Sequence, residues 1–136
     1  MSAAFSHRLR VRYQECDPQG VVYFARYLDF VDIALTELWR ERFGSYTTLV
    51  ESGTDMVVAE ANVLYRDAAR FDDEIDVELS IGDLGRTSMV TSARILRDSA
   101  LLAEATVRQV FIEPASRTKK PIPDEVRAGL AGMIAA

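Results

Sequence analysis

Between Tyr27 and Trp39 the apolar residues fall on one helical stripe, and most of the chain beyond residue 55 alternates instead; few folds satisfy both patterns. Tyr27, Phe30, Val31, Ala34, Leu35, Leu38 and Trp39 recur at i, i+3, i+4 and i+7, while Asp29, Asp32, Glu37, Arg40 and Glu41 occupy the other side. The spacing predicts an amphipathic helix that stops at Gly44, a residue suited to the left-handed turn that ends helices. A helix with one apolar stripe has to bury it against another element. The alternating segments supply that element. Residues 74–81 are the clearest, with Ile75, Val77, Leu79 and Ile81 set between Glu74, Asp76, Glu78 and Ser80. Residues 56–65, 87–96 and 101–112 read as further strands, and residues 8–13 as an earlier one. Turns at Gly85-Arg86 and Asp98-Ser99 are short enough to make the last three an antiparallel meander. Residues 124–133, after Pro121 and Pro123, fit a short closing helix.

The expected class is therefore α+β, one long helix covering one face of an antiparallel sheet, in a single domain over residues 1–136. The edges and other face of such a sheet stay open, which favours pairing between copies. Composition agrees with a globular chain: 49% of the 136 residues are hydrophobic and 27% charged. No apolar run approaches the ~18 residues of a membrane span. The start, MSAAFSHRLR, lacks the apolar core of a secretory leader, so a cytoplasmic location is expected. The single Cys16 excludes an intrachain disulfide, and a net charge of −5 argues against sequence-independent nucleic-acid binding.

Chemistry concentrates in residues 12–30, RYQECDPQGVVYFARYLDF. A strand-like stretch runs into Glu15-Cys16-Asp17, a Pro-Gly turn follows, and the long helix starts a few residues later. An Asp before Pro is commonly a turn or capping residue. Beside the free N–H groups of a helix start, it is also placed to act on a substrate. Glu15, two residues away on an expected strand, would share a face with Asp17. With no histidine nearby the pair is not expected to bind a metal. Cys16 would then point the other way, as a structural thiol.

The stretch Tyr13, Glu15, Cys16, Asp17, Gly20 and Val21-Val22-Tyr23-Phe24 resembles the 4-hydroxybenzoyl-CoA thioesterase family of hotdog-fold acyl-CoA thioesterases. The resemblance continues through ARYLDFVDIA and VLYRDAARFDDEIDVELSIGDLGRTSM to RTKKPIP, so it covers nearly the whole chain in order. It departs at Phe24, where many relatives carry His. The resemblance implies a five-stranded antiparallel sheet wrapped around the long helix, in dimers or tetramers with active sites between subunits. It implies hydrolysis of an acyl-CoA, aromatic or aliphatic, without metal or redox cofactor. Asp17 is then the catalytic carboxylate, as nucleophile or general base, with backbone amides of Gly20, Tyr23 and Phe24 toward the thioester. Coenzyme A carries phosphates, for which Arg86, Arg117, Lys119 and Lys120 are the candidate cations. Acyl carrier protein thioesters are an alternative substrate, and a non-catalytic acyl-binding dimer is a rival. A hydratase would need a paired histidine, and His7 is the only histidine in the chain.

Overall fold

A computed structural model describes residues 5–134; residues 1–4 and 135–136, which the expected domain includes, lie outside the described residues. Five strands form one antiparallel sheet in the order β1-β3-β4-β5-β2: β1 (Phe5–Arg10), β2 (Asp55–Tyr65), β3 (Glu74–Leu84), β4 (Ser88–Arg97) and β5 (Ala100–Ile112). Helix α1 (Arg26–Phe43) lies on one face, joined by α2 (Tyr46–Glu51) and α3 (Asp124–Leu130). This is the expected hotdog arrangement.

The helix buries the stripe read from its spacing: Tyr27, Phe30, Val31, Ala34, Leu35, Leu38 and Trp39 are all buried. Gly44 ends it with φ +89, and its N–H donates to Arg40 O at 3.1 Å. Facing the stripe are Ile75, Val77, Leu79 and Ile81 of β3, Met89 and Ile95 of β4, and Ala103, Ala105, Val107 and Phe111 of β5, all buried. Full burial of each large aliphatic side chain contributes roughly 1.5–3 kcal/mol. The outer face instead carries cross-strand ion pairs such as Arg8–Asp76, Arg94–Glu78 and Arg108–Glu60.

One local reading needs correction. The first strand ends at Arg10, not Tyr13, because Glu15 pulls the chain out of the sheet. Its carboxylate, 2% exposed, accepts the Arg12 N–H at 2.7 Å and the Arg12 guanidinium at 3.1 Å, closing a 3₁₀ turn over Tyr13–Glu15. Helix α2 is too short to leave a period in the sequence. Ser45 starts it by accepting the Thr48 N–H at 3.1 Å. Tyr46 then donates to the Asp55 carboxylate, and its phenol is pushed up to about 12, mainly by burial and then by that bond.

The loop between β2 and β3 is fastened to β4 and in turn supports the motif. Arg97 donates to Asp73 Oδ2 at 2.7 Å and to Ala68 O at 3.0 Å, while the Arg70 N–H donates to the same Asp73 oxygen at 2.9 Å. Burial alone would push the Asp73 carboxyl up, but Arg97 and the Arg70 amide outweigh it and hold the group below its ordinary value. A depressed carboxyl stabilises the fold above its unfolded pKa, and that stabilisation is lost as pH falls through the folded value. Asp73→Asn is expected to lower stability by about 1–2 kcal/mol at pH 7 in urea unfolding, with the deficit shrinking below about pH 4. Equal stability of the two proteins at pH 7 would remove this anchor from the account.

Candidate active site

Asp17 opens a small hairpin, not a strand end. Its N–H donates to Val21 O at 2.9 Å, and the Gly20 N–H returns to Asp17 O at 2.9 Å. Pro18 presets the turn, and Gly20 takes φ +80, a conformation that strains residues with a Cβ. Cys16 bridges to Val22 beyond the turn, and Val21 bridges to Arg70. The Val22 N–H donates to Ala69 O at 2.8 Å, while the Ala69 N–H donates to the Tyr27 hydroxyl at 3.1 Å. The anchored loop thus holds the hairpin against the first turn of α1.

Within that frame Asp17 is half-buried and lines an open cleft of about 520 Å³ with Tyr13, Cys16, Pro18, Gly20 and Phe71. Its Oδ1 accepts the Gln19 N–H at 2.8 Å. Oδ2 has no hydrogen-bond or ion-pair partner among the described residues, so the carboxylate is oriented by the turn with one oxygen left over. Tyr13 and Phe71, 79% and 56% exposed, meet edge to face at 6.1 Å and form an aromatic rim.

The three backbone donors separate. The Gly20 amide closes the turn, and the Tyr23 amide donates to Glu15 O at 2.9 Å, so neither is a free donor in this chain. The amides of Phe24 and Ala25 have no acceptor among the described residues. They stand just ahead of α1, where the macrodipole adds roughly half a positive charge. Glu15 therefore has another task than the shared face expected of it. Its side chain ties down Arg12 and its carbonyl fixes Tyr23, setting Asp17 and Phe24 in one frame. Cys16 does not point away from Asp17; it lines the same cleft. Burial, with help from the Glu15 and Asp17 charges, pushes its thiol up, which disfavours a thiolate nucleophile.

The candidate cations lie elsewhere. Arg86 sits in the β3–β4 turn, while Arg117, Lys119 and Lys120 follow β5. Asp17 is at the opposite end of the sheet, which the eleven residues of β3 span over about 33 Å. Lys120 is also partly committed, its ammonium donating to Gly53 O at 2.8 Å. Arg70 is closer. It is exposed, paired through its backbone to Val21, and its guanidinium has no ion-pair partner among the described residues. The sequence alone gives no sign of this, because only the folded loop carries Arg70 to the hairpin. No three His, Cys, Asp or Glu side chains cluster as metal ligands among the described residues.

Comparison with known proteins agrees with this architecture. An acyl-CoA thioesterase, YbgC, of Haemophilus influenzae is 34% identical over 125 residues, covering 91% of this chain and 92% of that protein. A 1,4-dihydroxy-2-naphthoyl-CoA hydrolase of Acaryochloris marina is 28% identical, covering 85% and 88%. A hypothetical protein of Aquifex aeolicus superposes with a TM-score of 0.88 at 25% identity, over 93% of this chain and 98% of that one. The profile of the thioesterase-like superfamily matches residues 11–130, and the chain belongs to that superfamily.

Proposed function

We propose that the chain is an acyl-CoA thioesterase that hydrolyses an aromatic or aliphatic acyl-CoA to the carboxylic acid and free CoA. The observation that carries this reading is one hairpin that joins an oriented Asp17 carboxylate, with a free oxygen, to an unpaired amide at Phe24. The activity named for the Haemophilus relative supports it. The thioester oxygen gains negative charge as the carbonyl carbon is attacked, and the Phe24 N–H with the helix start stabilises that charge. The carbon–sulfur bond then breaks, and the CoA sulfur leaves and takes a proton. Asp17 fits two roles. It attacks the carbonyl to form a mixed anhydride that water later cleaves, or it removes a proton from an attacking water. Either route needs no metal or redox cofactor.

A second copy completes the arrangement. Strand β2 is an open edge of eleven residues bearing exposed Val58, Leu64 and Tyr65. Antiparallel pairing of two β2 edges about their middle sets each copy's far sheet end beside the other's Asp17. Arg86, Arg117, Lys119 and Lys120 of one copy then serve the phosphates of a CoA bound at the other, with Arg70 in the same chain as Asp17. The assembly is a homodimer, or a homotetramer built from two, working in the cytoplasm. Sedimentation should give two or four times the chain mass, and a single-chain species would remove the shared site.

Asp17→Asn keeps the shape and removes the charge. It is expected to lower kcat by ~10²–10⁴-fold in a thiol-release assay across an acyl-CoA panel; wild-type rates in the variant would refute the assignment. Arg70→Gln is expected to raise KM for acyl-CoA about three- to tenfold, with kcat changed less. An unmoved KM would take Arg70 out of the phosphate site.

A further inference from the structure

Two successive peptide units at the start of α1 share one arrangement, with the carbonyl engaged and the N–H idle. Tyr23 O accepts the Arg26 N–H at 2.8 Å, while the N–H of the same unit, on Phe24, has no acceptor among the described residues. Phe24 O accepts the Tyr65 hydroxyl at 2.8 Å, and the N–H of its unit, on Ala25, is likewise unpaired among them. The first bond closes an ordinary turn. The second brings its donor from β2, 41 positions away in the chain.

Tyr65 is held for this contact. It is the last residue of β2, and the next two N–H groups, of Arg66 and Asp67, both donate to Leu102 O, at 2.8 and 3.1 Å. Its ring meets the buried Tyr27 edge to face at 5.2 Å and Phe24 at 6.5 Å. Those ring contacts need only a phenyl group. The hydroxyl adds one directed bond, and burial does not demand it, because Tyr65 is 47% exposed and water can satisfy a phenol there. The bond goes instead to the one peptide oxygen whose unit carries the free Ala25 N–H.

We propose that Tyr65 is a positioning residue of the site: it orients and polarises the Phe24–Ala25 peptide, so that the Ala25 N–H joins that of Phe24 as a second donor to the thioester oxygen. The inference rests on the thioesterase reading above. In a trans peptide the N–H points opposite to the carbonyl. Drawing the Phe24 oxygen toward β2 therefore turns the Ala25 N–H away from it. Ala25, with φ −70 and ψ −20, is exposed and already helical, so the two idle N–H groups share the direction of a helix start. A hydrogen bond at the carbonyl oxygen also polarises the unit and strengthens donation by its N–H. Donors fixed before the reaction cost no reorganisation as the oxygen gains charge. Tyr65 acts through the peptide and touches no reacting atom.

Tyr65→Phe keeps the ring and removes the hydroxyl. With the acyl-CoA that wild type cleaves fastest, it is expected to lower kcat about tenfold and to leave KM within about twofold, since the lost bond matters most as charge develops. Tyr65→4-aminophenylalanine returns an N–H donor at the same place and should recover most of the lost kcat, which a purely structural role of the ring does not predict. In amide NMR spectra the Ala25 resonance should move in Tyr65→Phe, while that of Gly20, closed in its own turn, stays in place. Wild-type kcat in Tyr65→Phe, a loss that appears in KM alone, no recovery with the amino variant, or an unmoved Ala25 resonance each overturns the proposal. The two failures are distinguishable. If wild type releases no CoA from any acyl-CoA, the thioesterase reading has failed and the role of Tyr65 with it; if wild type turns over and Tyr65→Phe matches it, only the role of Tyr65 has.

Discussion

The burial of one helical stripe against a sheet wider than the helix governs everything else in this molecule. Helix α1 loses its apolar face to β3, β4 and β5, and that contact supplies most of the core. Because a single helix cannot cover five strands, β2 remains at an open edge with apolar side chains exposed. A groove between α1 and β2 and the free strand edge are two results of the same mismatch in width. Both lie on the side where a ligand or a second chain can reach them.

The site depends on that contact but is not made by it. Packing fixes where α1 begins, and so where the unpaired Phe24 amide stands. A separate set of polar bonds fixes Asp17 against it. Glu15 holds both ends of the hairpin, and Arg97 with Asp73 holds the loop on which the hairpin rests. The Asp17 carboxylate itself makes only a turn bond, while Glu15, Arg97 and Asp73 around it are engaged in structural bonds. Such a division suits a reactive group: its neighbours carry the structural load, and one of its oxygens stays free.

Much of the fold was legible because it follows from period. The helical stripe survived residue by residue, and the meander of β3, β4 and β5 followed from alternation and short turns. The misread strand end and the helix that left no sequence signal sit where side-chain hydrogen bonds compete with the backbone pattern. The alternation through Arg12 and Tyr13 looked like strand until Glu15 captured the Arg12 amide, and Ser45 capped a helix too short to show a period. Both are local bonds whose formation depends on what surrounds them.

The sequence by itself determined the class of the fold, the stripe of the core, and the Asp-Pro-Gln-Gly turn that carries Asp17, since each needs only residue types at fixed short spacings. Tertiary structure alone decided which amide stays free, that Arg70 and Phe71 join the hairpin, and that Arg86, Arg117, Lys119 and Lys120 stand at the far end of the sheet. It also decided that the Tyr65 hydroxyl of β2 meets the Phe24 carbonyl. These are contacts between segments far apart along the chain, and no local periodicity encodes which of them meet.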